Sequence, residues 1–443
     1  MKKYITLVAL VCLSLPAAAF DPLGAHKIRA PQGCIDKDIQ KQELTLDDFV
    51  QIVLCTNPSL SASYMGVKAS ESGLGMSRSE YLPMVNVTAT GNITGEKIEH
   101  GNYVQGEPYA AKAEASWLLF DFGGREARVN SARAYVEAAR YGYDASVQQM
   151  VLTVQTAYLN LLASQESLVS SQASLETYKH SYEEAEKRYK LGMVSLSDKL
   201  QAKTRYEQAV LQVVLAENQI KQNKGALAVL VNLPPDSDVQ LAKPVYTEDT
   251  ISIKNDDVKH LMETALENRP EMRAQERVQA AAKSDVTVTK TSILPRISAN
   301  AAVAYSDNWK HSSPYLTNNS AGLLVTMPLF AGFSNAYQIQ QASYAYEQQQ
   351  HNTESLKLQI ENEVWQAYQN YKTAMRSYEI SETVLESAEE NHRVAFRYYE
   401  LGKGDILNLL SSVAHLAEAR QNKINAFYSV LLSKSNLYRS IGK

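Results

Sequence analysis

The chain has 443 residues, 45% hydrophobic and 21% charged, with a formal net charge of −4. This mild acidity leaves no basic footprint for nucleic acid. Beyond the N-terminus no stretch offers the ~18 consecutive apolar residues of a transmembrane helix.

Lys2 and Lys3 precede an apolar run, Ile5 to Leu15, which ends in Pro16-Ala17-Ala18-Ala19. That is the order of a secretory signal peptide, residues 1–19, with cleavage expected after Ala19. Val11 stands before Cys12 where a lipoprotein signal has a small residue, so no acyl anchor is expected. Two cysteines remain after cleavage, Cys34 and Cys55. An even pair in an exported chain suggests one disulfide. It would staple the tail, 20–44, to the first helix and contribute ~3 kcal/mol in the chain-entropy model. Two free buried thiols are the alternative.

The rest of the chain is one unit written twice. "AYLNLL" at Ala157 returns as "AYQNYK" at Ala367, and "RYKLG" before Met193 returns as "RYYELG" before Lys403. "SWLLFDFGG" matches "TMPLFAGFS", with Leu119-Phe120 aligned on Leu329-Phe330. Repeats at one fixed offset predict one architecture used twice. The first copy is 45–232, the second 255–443, and a Pro-rich linker, 233–254, joins them.

Each copy opens with a helix, Thr45 to Glu80 and Asn255 to Ile293. Thr45-Leu46-Asp47-Asp48 reads as its capping box, and Pro58 and Pro270 punctuate it. The period then changes to two. Val85, Val87 and Ala89 alternate with Asn86, Thr88 and Thr90. Ala111, Ala113, Ala115, Trp117 and Leu119 alternate with Lys112, Glu114 and Ser116. The second copy alternates likewise through Ile297, Ala299, Ala301, Val303 and Tyr305, then through Leu323, Val325, Met327 and Leu329. These are four strands with one apolar and one polar or small face, about 83–95, 109–120, 295–306 and 320–330. Loops bridge each pair, Gly95 to Tyr109 and Asp307 to Asn319.

A proline-free helix follows in each copy, Gly124 to Lys190 and Ser334 to Glu400, roughly 100 Å long at the α-helical rise. Val154, Tyr158 and Leu161, and Val364, Tyr368 and Tyr371, mark a coiled-coil-like packing seam. The helix must then reverse, and the turns are expected at 191–194 and 401–404. Ser195 can cap the returning helix, which is half as long as its partner. Two short helices stacked end to end would match one long one, with strands at one end and the turn at the other.

Four strands cannot close a membrane barrel, because open edges leave backbone groups unsatisfied in lipid. Several chains per barrel are therefore expected; three would supply twelve strands. Phe120, Phe122, Phe330 and Phe333 would lie at the membrane edge, where aromatics anchor; a plain core role is their alternative.

The duplicated order of long helix and strand pair, the "LF" strand-to-helix junctions and the two "R-Y-x-LG" turns together resemble the TolC family of outer-membrane efflux and secretion channels. The resemblance covers nearly all of the mature chain. It implies a mostly α-helical mixed α/β membrane protein: a homotrimer whose twelve-strand outer-membrane β-barrel, four strands per chain, continues as a periplasmic α-helical barrel. It implies docking, tip first, on a periplasmic adaptor (membrane fusion) protein fed by an inner-membrane transporter, ABC or proton-driven. The tip positions that match are Arg188, Leu191, Gly192, Val194 and Asp198, and Arg397, Leu401, Gly402, Asp405 and Ile406. Their charges would form inter-helix salt links that open on adaptor binding; solvated turn residues are the alternative. Where relatives carry acidic residues on the last helix, this chain has Asn408 and Ser411, so a carboxylate ring would fall to Asp405. The linker and the tail before Thr45 would form a belt around the helices.

The chain holds no metal-ligand spacing, no phosphate-binding loop and no nucleophile elbow. Neither enzyme nor cofactor is expected. The expected function is a passive duct across the outer membrane, leaning to type I protein secretion because the unlipidated start and the cysteine pair look like that branch. Small-molecule efflux of drugs or metals is the alternative, and a soluble periplasmic coiled-coil scaffold the remote one.

Overall fold

The structure, a computed structural model, describes residues 43–92, 94–97, 103–106, 108–242, 257–308 and 316–443. The signal segment, most of the tail with Cys34, and linker residues 243–256 lie outside the described residues. Eight helices and six strands are described: α1 (Leu46–Thr56), α2 (Pro58–Ser79), β1 (Met84–Gly91), β2 (Thr94–Lys97), β3 (Tyr103–Gly106), β4 (Pro108–Phe120), α3 (Gly124–Lys190), α4 (Leu196–Leu230), α5 (Val258–Asn268), α6 (Pro270–Thr291), β5 (Arg296–Asn308), β6 (Leu316–Thr326), α7 (Ser334–Glu400) and α8 (Ile406–Ser440). The repeat is visible in the lengths. α1 and α5 each have 11 residues, α2 and α6 have 22, α3 and α7 have 67, and α4 and α8 have 35.

The first helix of each copy is broken, not kinked. Asn57 and Arg269 sit in extended conformations, with ψ 123° and 125°, between the two helical pieces. A residue before proline is pushed out of the α region. Pro58 and Pro270 then take the first position of the next helix, where a missing N–H costs nothing. The Thr45 capping box is present: its hydroxyl accepts from the Asp48 N–H, and the Asp48 carboxylate accepts from the Thr45 N–H. In the second copy Asp257 caps α5 through the Lys259 N–H, so that helix starts at Val258 and not at Asn255.

The chain divides into two compact units. One holds Met65–Tyr141 and Ala274–Glu354 and contains all the described strands. Its antiparallel sheet runs β1-β4-β5-β6. β2 and β3 form a separate antiparallel ribbon inside the stretch expected to be loop. β6 stops at Thr326, short of the expected 330, because Pro328 has no N–H for a ladder. Leu329 and Phe330 are therefore outside the sheet. The junction from β4 to α3 is pinned by Arg125, which donates to the carbonyls of Leu118 and Leu119 at 2.6 and 2.8 Å and whose N–H bonds the Asp121 carboxylate at 2.7 Å.

The other unit comprises the described parts of Pro31–Tyr64, Gly142–Arg273 and Ser355–Lys443. Its largest core gathers Phe49, Ile52 and Val53 of α1, Val154, Tyr158 and Leu161 of α3, Leu227 and Ala228 of α4, and Tyr428 and Leu431 of α8. Leu44 and Leu241 join this core through a parallel bridge, and the Tyr158 hydroxyl donates to the Ala242 carbonyl at 2.9 Å. Leu44, the last residue of the tail, and Val239, Leu241 and Ala242 of the linker therefore meet on the helices here. A second core centres on Ile360, Val364 and Tyr371 of α7, with Leu261 and Ala265 of α5 and Leu437 of α8. Along α7 the buried positions Ala374, Ser381, Ala388 and Ala395 recur every seven residues. A seven-residue period keeps one seam facing its partner, and small side chains let the backbones approach closely.

Candidate functional site

The two turns have the same geometry. Gly192 and Gly402 take φ of +72° and +71°, a left-handed conformation that glycine adopts freely. The Gly192 N–H donates to the Tyr189 carbonyl and the Met193 N–H to the Arg188 carbonyl. Gly402 and Lys403 repeat this pair of bonds to Tyr399 and Tyr398. That is a Schellman motif, which ends each long helix by satisfying its last carbonyls.

The returning helices are capped from within their own turns. Ser195 and Asp198 form a reciprocal capping box at 3.1 Å in both directions. Asp405 accepts from the Asn408 N–H at 2.7 Å as the cap of α8. The expected inter-helix salt links from Asp198 and Asp405 are therefore not formed among the described residues. An N-terminal N–H group is an obligatory donor, and these carboxylates are the acceptors within reach.

A different residue joins the two turns. The Arg188 guanidinium donates to the Glu400 carbonyl at 2.9 Å and its carbon lies 4.4 Å from the centre of the Tyr399 ring. Tyr399 is buried, and its hydroxyl has no hydrogen-bond partner among the described residues. Burial raises its pKa, Arg188 opposes that rise, and Asp198 and Glu184 add to it. Ile406 packs in the same core as Tyr399, with Tyr178, Ala185, Ala202 and Leu409. Between α3 and α4, Glu186 pairs with Lys199 at 3.0 Å, and that bond, opposed by desolvation and helped by the charges of Lys190 and Lys199, holds the Glu186 carboxyl below its ordinary range. Arg397 is exposed and approaches Glu400 only to 3.9 Å. Val194 is half-buried and Asn408 exposed.

The turns also present apolar side chains to solvent, which sequence reading missed except for two. Leu191 and Leu401 are 74% and 70% exposed, and Met193, Leu196 and Leu407 are exposed beside them. Apolar groups held outward at two adjacent reversals suit contact with another protein.

At the strand-to-helix junctions the expected aromatics form pairs. Phe120 and Phe122 lie 4.7 Å apart edge to face, and Phe330 and Phe333 lie 5.5 Å apart. All four are exposed, and Phe122 and Phe333 both have positive φ. The plain core role is excluded within the single chain.

The sheet sorts its faces by register. Val85, Ala115 and Ala301 stand opposite one another, as do Trp117, Ala299 and Leu323. The other face carries Asn86, Glu114, Ala302 and Ser320, then Thr88, Lys112, Ala304 and Asn318. Among the described residues β1 and β6 pair on one side only. Cys55 is disulfide-bonded; the partner expected for it, Cys34, lies outside the described residues.

A duplicated long-helix frame carrying a four-strand sheet with one wet and one apolar face defines a channel subunit of a membrane. The chain matches the family model "Outer membrane efflux protein" over residues 49–233 and 261–443 and belongs to that family. It is a TolC-type outer-membrane channel protein with a large periplasmic helical part, and the family is one of transport channels, not of enzymes. Protein CyaE of Bordetella pertussis is 25% identical over 92% of this chain and 85% of its own length. The outer membrane protein TolC of Vibrio cholerae is 24% identical over 83% of each chain. Among solved structures, the outer-membrane channel OprN superposes with a TM-score of 0.78 at 20% identity, over 94% of this chain and 98% of its own.

Proposed function

We propose that three copies of this chain close one twelve-strand barrel in outer-membrane lipid and continue it as a helical tunnel. The observation that carries this is the sheet: four antiparallel strands with sorted faces and both outer edges left for neighbours. In lipid those edges must pair, and identical chains are the simplest source of partners. The four phenylalanines then anchor the barrel at the membrane edge. The turns at Gly192 and Gly402 form the periplasmic tip, where Leu191, Val194, Leu401 and Asn408 meet a periplasmic adaptor fed by an inner-membrane transporter, while Ile406 packs in the core beneath them. Arg188, and not Asp198, Asp405 or Arg397, supplies the link that holds the two turns together. Native mass spectrometry in detergent tests the assembly: a trimer is expected, and a stable monomer would overturn it.

The cargo is assigned to type I protein secretion, supported by the bonded Cys55. The family's description as efflux proteins favours the second reading, export of small molecules. Comparing the secreted proteome of a deletion strain with its parent decides between them. Loss of one or a few large proteins is expected. An unchanged secretome with raised drug or metal susceptibility would establish the second reading.

A further inference from the structure

The polar face of the sheet carries one feature that the channel reading leaves unused. Lys112 and Glu114 lie two residues apart on β4, so both point to the same face, and Nζ and Oε2 are 2.6 Å apart. β1 and β6 hold no charged residue. In β5 the charges are Arg296, its first residue, and Asp307, its last but one. Along the middle of the four main strands the wall is therefore neutral except for this pair. Lys112 stands between Thr88 and Ala304, and Glu114 between Asn86 and Ala302.

We propose that Lys112 and Glu114 balance each other's field on the lumen wall of the barrel, and that this pairing keeps the transmembrane passage from selecting cargo by charge. The proposal rests on the trimeric barrel reading. There the apolar face with Val87, Ala113, Val303 and Leu323 must meet lipid, which leaves Lys112 and Glu114 facing water. Both side chains are nearly half exposed in the single chain, 49% and 44%. A pair that open to solvent adds little to stability, so stability does not account for it. Its electrostatic effect is larger. Threefold repetition would turn either residue alone into a ring of three like charges. Such a ring acts over about 8 Å at physiological ionic strength and about 30 Å at 0.01 M. Paired at contact distance, the two rings cancel beyond their own dipole. On the same face Ala110 and Ser116 flank the pair along β4, and Ala302 and Ala304 stand beside it on β5, so no bulky neighbour shields it from the passage.

The test is the reversal potential of the purified full chain in planar bilayers, under a KCl gradient with the dilute side near about 0.01 M, where screening is weakest. Glu114→Gln is expected to shift it toward anion selectivity and Lys112→Gln toward cation selectivity. The double variant is expected to return to the parent value, and so is the exchanged pair, Lys112→Glu with Glu114→Lys, which keeps both charges should a neutral variant fail to insert. Reversal potentials unmoved by the single variants, or moved in the same direction by both, would overturn the proposal while leaving the channel intact. A parent chain that forms no conducting unit would instead overturn the barrel reading and the proposal with it.

Discussion

Arg269 donates a hydrogen bond to Glu363 at 2.5 Å, and the positions equivalent to them in the first repeat are Asn57 and Thr153. Arg269 also holds Glu271 at 3.1 Å, and Arg439 reaches Glu271 at 3.2 Å. The matching first-repeat residues, Ser59 and Val229, are uncharged as well. There the break is closed by Asn57, whose side chain donates to the Leu230 carbonyl and accepts from the Ser59 N–H. One repeat closes its helix break with an amide, and the other with three charges around a guanidinium that is 4% exposed.

Arg269→Ala is expected to destabilise the chain by about 3 kcal/mol, the low end for breaking a buried pair, because the two glutamates keep partial solvent access. Replacing the whole set by the first-repeat residues (Arg269→Asn, Glu271→Ser, Glu363→Thr, Arg439→Val) should cost less than the single change, since no charge is left unpaired. Thermal unfolding followed by circular dichroism in detergent compares the two. A fourfold variant less stable than Arg269→Ala would refute charge compensation as the reason.

The same cluster sets an acid limit. Burial alone would raise the carboxyls of Glu271 and Glu363, but the hydrogen bonds from Arg269 and the charges of Arg269 and Arg439 outweigh it and hold both below the ordinary range. A depressed carboxylate contributes stability above its unfolded pKa, about 4.3, and loses it as pH falls through the folded value. His392 acts higher on the scale. Burial lowers its pKa, with Arg420 adding to the effect, so the folded chain prefers neutral imidazole. Its contribution is complete above about pH 6.5 and shrinks as pH falls below that value. Melting temperature against pH should therefore fall in two steps, and His392→Gln should remove the upper one.

Arg188→Ala is expected to loosen the link between the two turns. A stacked cation with a charge-assisted hydrogen bond at a half-buried site is worth about 2 kcal/mol, roughly 30-fold in an equilibrium between linked and unlinked states. Higher single-channel conductance and greater sensitivity to bulky antibiotics are the readouts. Arg188→Lys should recover part of the effect, because the charge remains but the planar fork does not. Unchanged conductance in the alanine variant would take the link out of gating.

Asp405→Asn should be nearly silent in both stability and conductance, since asparagine caps as well as aspartate, whereas Asp405→Ala should cost about 1 kcal/mol. A conductance change from Asp405→Asn with an unmoved melting temperature would restore the carboxylate to a gating role.

Gly192→Ala and Gly402→Ala meet no atom within 4 Å, so their cost is backbone strain alone. About 1–2 kcal/mol is expected at each position. Asparagine should be tolerated better than alanine at both, because its side chain accepts the left-handed region more readily. Melting temperatures of the four single variants check this.

Much of this architecture can be read from residue order, because it depends on local rules. Pattern period separates strands from helices, a glycine marks each reversal and a capping serine the first, and the repetition of "RYKLG" as "RYYELG" shows that one unit is used twice. The proline breaks were legible too, though their sharpness was not, since a kink and a gap share the same residue. What needed the folded chain depends on residues far apart in sequence. Arg188 and Glu400 are separated by 212 positions, and nothing near either one marks the other. The charges around Arg269 come from three helices, and in sequence they look like ordinary solvated residues. Asp198 and Asp405 went the other way: each looked free for a long-range pair, and each is taken by the nearest backbone N–H. Local hydrogen bonds form wherever their partners are adjacent, so the chain's order announces them; packing joins groups only after the helices have been laid side by side, and it alone chose which charges are buried together.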